Sequence, residues 1–274
     1  MNPTPEIYDS SRQGNPLVEE FIFLMKYRNL VSQFVSTSIK IRYKRSFLGV
    51  IWTLLNPLLM MVVLTLVFSA IFRFQIEYYA VYVLSGLIAW NFFSSTTNGS
   101  MQNMVLSGSL LNRIYVPKSV FAVSALGTGL VNLGLSLIPL FLISLVLGLW
   151  ISPVVLVMPF AIFLLGLFAL GVSLILQTAA VYFADMIPVY EVLLTIWFYA
   201  TPIIYPAEAI PEGWSWIYRM NPLYYLITAF REPLFSGTLP DPLTWAIAIL
   251  AAVFAFILGG VVFTLKAHEY AYRI

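Results

Sequence analysis

The chain alternates between long stretches that carry no charge and short polar segments. No Asp, Glu, Lys or Arg lies between Arg45 and Arg73, between Lys118 and Asp185, or between Asp241 and Lys266. Each gap exceeds the roughly 20 helical residues that cross a ~30 Å hydrocarbon core, so these stretches belong in lipid. The pattern predicts six spans, at about residues 52–72, 80–99, 120–148, 154–183, 187–205 and 243–265. The expected fold is an all-α integral membrane protein: six transmembrane helices, an amphipathic interfacial helix before them, and short re-entrant helices before the last span.

The polar segments divide the rest. Residues 1–16, broken by Pro3, Pro5 and Gly14, read as a loose tail. From Pro16 to Tyr43, Leu17, Phe21, Leu24, Leu30, Val31 and Phe34 fall near helical spacing among Glu19, Glu20, Lys26 and Arg28. That predicts a helix lying on the membrane surface, or else a soluble helix packed on a partner. Lys40, Arg42, Lys44 and Arg45 follow at the edge of lipid and suit an anionic cytoplasmic leaflet. Trp150-Ile-Ser-Pro153 marks a turn between the third and fourth spans, and Pro139 is a candidate kink in the third. Residues 206–242 are too polar and Pro-interrupted to cross, yet hold Trp214, Trp216, Tyr218, Tyr224 and Tyr225. They read as short helices dipping into the outer leaflet, or as a compact external loop anchored by its aromatics. Two regions result: 1–45, tail and interfacial helix, and 46–274, the membrane domain.

Composition agrees with lipid as the solvent. Apolar residues make up 61% of the chain and charged residues only 9%, with mean hydropathy +0.90, whereas soluble domains are about 25% charged. Charge then sets orientation. Of the 14 Lys and Arg, Arg73, Arg219 and Arg231 fall on one side of the six spans and the others on the opposite side. The positive-inside rule places both termini and the loop between the second and third spans in the cytoplasm. No short apolar segment with a cleavage site precedes the first span, so the N-terminus is expected to be retained.

Several chemistries lack their residues. No basic stripe with interleaved aromatics marks a nucleic-acid surface. No Gly-rich P-loop is present; the Lys118-Ser119 pair follows a proline. Cys is absent and His268 is the single His, leaving no zinc motif. No catalytic residues are expected: Asp185 and Glu191, the acids nearest the membrane between spans, lie either side of Pro188 with no partner that orients them. Mid-membrane carboxylates, which mark ion-coupled carriers, are nearly missing, so energy is expected from another subunit. Aromatic surface is plentiful, at 16% Phe, Trp and Tyr. Phe68, Phe72, Tyr82, Trp90, Trp197, Phe198, Tyr199 and Tyr205 are candidates to line a pathway on which sugar rings stack and slide, or else ordinary interfacial aromatics.

Four segments carry a resemblance. RYKRSFLGVIWTLLNPLL from Arg42, with FSAIF from Phe68, resembles the start of the first span in ABC transporter permeases that export polysaccharides. SGLIAWNFF from Ser85 and LLNRIYVP from Leu110 resemble the second span and cytoplasmic loop of that family. NPLYY from Asn221 with Phe230-Arg231 is similar to its external re-entrant region, and EYAYR from Glu269 to its tail. Ala184-Asp185 and Val116 depart from the family, which often has Arg-Asp and Phe at those places.

The resemblance implies a type-2 ABC permease for O antigen, capsule or teichoic acid in the bacterial inner membrane. It implies a homodimer, two separate ATPase subunits that bind ATP and Mg, and a lipid-linked polysaccharide as cargo. It also implies a coupling helix near 103–114, with Leu110, Leu111, Asn112, Arg113 and Ile114 touching the ATPase. The interfacial cluster Lys40, Arg42, Lys44 and Arg45 would admit the cargo. An ABC exporter of drugs or lipids and, more remotely, a membrane enzyme of glycan synthesis are the alternatives.

Overall fold

The computed structural model describes residues 25–44, 49, 51–70, 76–107 and 116–266. Among these the fold is all-helical, with nine α-helices and no strand. They are α1 (Arg28–Tyr43), α2 (Ile51–Ala70), α3 (Tyr79–Leu106), α4 (Ser119–Val146), α5 (Met158–Tyr182), α6 (Met186–Ala200), α7 (Trp216–Arg219), α8 (Pro222–Phe235) and α9 (Pro242–Lys266). Backbone groups cannot hydrogen-bond to hydrocarbon, so a helix is the economical answer for each uncharged run.

Among the described residues three stretches are by length and composition apolar enough to cross a membrane: α4, α5 with the 3₁₀ turn before it, and α9. α6 and the Leu54–Phe68 part of α2 are apolar but shorter. α3 is long, at 28 residues, and more polar, since its second half carries Asn91, Ser94, Ser95, Thr96, Thr97 and Asn98. The helix beginning near residue 80 continues seven residues past the expected 99, and the one beginning near 187 stops at Ala200. Pro202 explains the second difference, because it cannot extend a helix and disfavours one just before it.

Helix α3 forms the core. Val81, Val83, Leu84, Ala89, Phe93 and Met101 on it are fully enclosed by α2, α4, α5, α6 and α8. α4 runs unbroken through Pro139 and turns at Gly148, whose φ of +79° suits glycine, before Ser152 caps the 3₁₀ turn at Pro153. The outer faces are apolar: Val146, Trp150, Leu156 and Leu250 each leave more than two thirds of their surface uncovered. A water-soluble fold would not leave this much apolar surface uncovered, whereas lipid is a good solvent for it.

α5 and α9 cross at glycine. An added Cβ at Gly171 would meet the backbone of Ala255 and Phe256, and one at Gly259 would meet the backbone of Gly171. The face of α9 turned inward is small throughout, with Ala248, Ala252, Ala255 and Gly259 buried. Small residues at such spacing let backbones approach and gain dispersion contact where no hydrophobic effect drives association. α1 packs on α4 through Phe34 and Phe121, 5.6 Å apart edge to face. Lys40, Arg42 and Lys44 at its end are exposed, while Arg45 lies outside the described residues.

Candidate functional site

Two polar features interrupt the apolar bundle. The first is the break after α6, residues Thr201–Tyr205, which lies inside the protein with irregular backbone. Each of its carbonyls has a donor. Ile203 N–H reaches the Thr201 carbonyl at 2.7 Å. Arg231 donates from its two terminal nitrogens to the carbonyls of Pro202, at 3.2 Å, and Ile203, at 3.1 Å. The hydroxyl of Tyr79 donates to the Ile204 carbonyl and that of Tyr82 to the Tyr205 carbonyl, at 3.1 Å. Irregular backbone is tolerated in a nonpolar setting when protein groups satisfy it in this way.

Arg231 is the centre of this cluster. It is 6% exposed, its guanidinium stacks 3.8 Å from the Tyr82 ring centroid, and Nε has no hydrogen-bond partner. Gly86 makes the space: a Cβ there would overlap the guanidinium. Among the described residues no carboxylate pairs with it directly; its positive charge faces carbonyls at the C-terminal end of α6, where the helix dipole is negative. Asn221, the N-cap of α8, ties the same break from below. Its side chain accepts from Leu223 N at 3.1 Å and from Trp197 Nε1 at 2.9 Å, and donates to Thr201 Oγ1 at 2.7 Å. Next to Arg231, burial raises the Glu232 carboxyl above its ordinary pKa, with Asp241 acting in the same sense and Arg231 against it.

The second feature is an open cavity of about 310 Å³ between α1, α2, α3 and α4. Arg42, Trp52, Asn56, Asn91, Ser95, Asn132 and Ser136 line it, with Gly129 and Leu133. Asn132 Oδ1 is buried with no hydrogen-bond partner, as is Thr96 Oγ1, which sits where a Cβ of Gly129 would be.

The aromatic candidates divide between core and surface. Trp90 and Phe198 meet edge to face at 5.4 Å, and Trp90 is buried. Trp197 packs on Phe93 and Phe68 on Tyr79. Tyr199 is 61% exposed, and Tyr205 donates to the Tyr199 carbonyl. Phe72 and Leu110, Leu111, Asn112, Arg113 and Ile114 lie outside the described residues.

Asp185 and Glu191 are both exposed; Glu191 accepts from Asn98 Nδ2 at 3.4 Å and Asp185 caps no helix with its side chain. Among the described residues no three acidic or His side chains gather for a metal.

Sequence reasoning passed over Gln177. It is fully buried on α5, accepts from Ser100 Oγ on α3 at 3.1 Å, and donates to the Lys118 carbonyl before α4 at 2.8 Å. It thereby pins both stems of the segment 107–118. A lone Gln in an apolar run, at a cost of transfer that only hydrogen bonds recover, was the available signal. Gln177→Leu is expected to cost about 1–3 kcal/mol, because the buried Ser100 hydroxyl loses its acceptor and the Lys118 carbonyl the shorter of its two donors. The check is a melting temperature of purified protein in detergent; an unchanged value would mean the two bonds add nothing.

Comparison with known proteins adds an independent line. The family described as ABC-2 type transporter matches residues 29–235. The O-antigen export system permease protein RfbA of Myxococcus xanthus is 31% identical over 255 residues, covering 92% of this chain and 97% of that protein. A protein of the same description from Klebsiella pneumoniae is 30% identical over 78% of the chain and 85% of its own length. The polysialic acid transport protein KpsM of Escherichia coli is 24% identical over 74% of the chain and 80% of its length.

Proposed function

The chain belongs to the ABC-2 type transporter family, and on that premise we propose that it is the membrane permease of an ATP-driven exporter of cell-surface polysaccharide, of the O-antigen kind. The observation that carries the reading is the near end-to-end match to an O-antigen export permease, at 31% identity and 97% of that protein's length. A match confined to one motif would support a family, not a cargo.

In this reading α2, α3, α4, α5, α6 and α9 are the six spans, both termini are cytoplasmic, and the α7–α8 region is a re-entrant element of the outer leaflet. Two copies associate and engage two ATPase subunits, which bind ATP and Mg. Leu110, Leu111, Asn112, Arg113 and Ile114 form the contact with the ATPase. The cargo is a lipid-linked glycan admitted from the cytoplasmic leaflet past Lys40, Arg42, Lys44 and Arg45. Phe68, Phe72, Tyr82, Trp197, Phe198, Tyr199 and Tyr205 would present stacking surface along the way, and Trp90 would support them from the core. Polar bonds pinning the stems of 107–118 favour this scheme, because force from a partner must reach the bundle through stiff parts. Capsule and teichoic acid remain narrower variants of the same cargo class.

Deletion of the gene in a strain that displays O antigen is expected to remove the surface polymer and leave it on its lipid carrier inside the cell. Re-expression of the chain should restore display, and the Arg113→Glu variant should restore about tenfold less by placing like charge or a missing contact at the ATPase. Unchanged surface polymer in the deletion strain would overturn the reading.

A further inference from the structure

The cavity between α1, α2, α3 and α4 is unusual for its setting. Its rim holds a cation, Arg42, and an indole, Trp52; its walls hold the amides of Asn56, Asn91 and Asn132 and the hydroxyl of Ser136; no acidic residue lines it. In hydrocarbon each such group costs free energy unless it has a partner. Asn132 Oδ1 has none, and the Ser136 hydroxyl is spent on the Asn132 backbone carbonyl at 2.9 Å.

Position along the helices gives the cavity a direction. Trp52 is the second residue of α2 and Asn56 lies one turn further in. Asn132 is 13 residues into α4, or about 20 Å along its axis, and Asn91 is about 18 Å from the opposite end of α3. With α2 and α4 both starting on the Arg42 side, the cavity runs from one membrane surface to roughly mid-depth. Its volume of about 310 Å³ is at the lower bound of ligand sites and would hold roughly ten waters.

We propose that this cavity binds the headgroup of an anionic, hydroxyl-rich lipid from the leaflet next to Arg42. The guanidinium meets the phosphate at the rim, and the amides of Asn91 and Asn132 take the hydroxyls of a glycerol or a sugar beneath it. A guanidinium and amides with no competing carboxylate match a phosphate followed by hydroxyls, since both amide donors and acceptors are then used. A zwitterionic choline headgroup fits worse, because its cation would lie against Arg42. Two lipids share the favoured chemistry: phosphatidylglycerol of the bilayer, and a polyprenyl phosphate bearing sugar. The second of these rests on the export reading above; the site itself does not.

The test uses the full chain purified from phosphatidylcholine nanodiscs to which either phosphatidylglycerol or a polyprenyl phosphate has been added, with retained lipid read by native mass spectrometry. Wild-type protein is expected to keep the anionic lipid about tenfold over phosphatidylcholine, and the double variant Asn91→Leu with Asn132→Leu to lose that preference. Arg42→Gln, on an exposed residue whose change leaves packing intact, should lose it as well, which guards against misfolding of the double variant. Preference for phosphatidylglycerol makes the site one for a resident lipid and leaves the export reading untouched. Preference for the polyprenyl phosphate puts it on the cargo's path. No preference in wild type, a preference that both variants retain, or a cavity covered by a second copy with no lipid kept overturns the proposal.

Discussion

Replacing Arg231 with Ala is expected to lower stability by about 3–5 kcal/mol, a large part of the 5–15 kcal/mol that a typical fold possesses. The loss has three sources. The buried Ile203 carbonyl loses its donor, and the Pro202 carbonyl keeps only the longer bond from the Tyr82 hydroxyl, at 3.4 Å. The Tyr82 ring loses a cation stacked at 3.8 Å. A void opens against Gly86, which exists without a side chain to make room for the guanidinium. Because the three sit where α3, α6 and α8 meet, the damage is not local: among the described residues α8 is left tied to the end of α6 through Asn221 alone. Export should fall to background with it.

Arg231→Lys discriminates between charge and shape. Lysine retains the positive charge but is a compact point donor, and it cannot fork to two carbonyls while stacking flat on Tyr82. It is expected to recover less than half of the loss. Gly86→Ala should destabilise in the same direction with residue 231 unchanged, since its Cβ overlaps the guanidinium and must displace it. The measurement is the thermal midpoint of detergent-purified protein followed by size-exclusion chromatography. A wild-type midpoint for Arg231→Ala would show that water replaces the guanidinium without cost and that the break needs no buried donor.

This cluster also shows where sequence reasoning stops. The uncharged runs, the polar interruptions and the turn at Ser152-Pro153 are legible because lipid imposes one rule on every residue of a span, and the rule reads locally. Pro202 carries the same kind of signal, yet the expected span runs through it to 205, whereas the helix stops at Ala200. Arg231 entered the sequence argument as a charge on one side of the six spans and as part of the Phe230-Arg231 resemblance, with no partner named for it. Nothing in its neighbours says that its partners are main-chain carbonyls 29 and 28 residues earlier, because backbone acceptors leave no mark in residue identity. The same holds for Gln177, which joins Ser100 to a carbonyl at Lys118. Trp90 reads as a pathway candidate by residue type, yet type cannot say that it packs on Phe93 and Phe198. The resemblance around Leu110–Ile114 pointed to a motor contact, a role that concerns a second protein and lies outside the described residues.

The crossing of α5 and α9 yields the other large effect. Gly171→Ala and Gly259→Ala are each expected to cost about 1–3 kcal/mol, more than a methyl group usually does, because what the new Cβ meets is backbone. A side chain in the way can change rotamer; a helix must move as a whole. Moving α9 outward would also strip contact from Ala248, Ala252 and Ala255, the buried small residues that share its inner face. The two changes act on one distance, since the Cβ of each would press on the backbone of the opposite helix at the same crossing. Once the first has separated the helices, the second finds part of the space made, so the double variant should cost less than the sum of the singles. Gly134→Ala is the matched control: it adds the same atom to a helix, with nothing within 4 Å of the new Cβ, and should leave the midpoint within about 0.5 kcal/mol of wild type. Additive losses at Gly171 and Gly259 would place the strain in each helix separately, whereas an equal loss at Gly134 would trace it to helix glycine as such and not to the crossing.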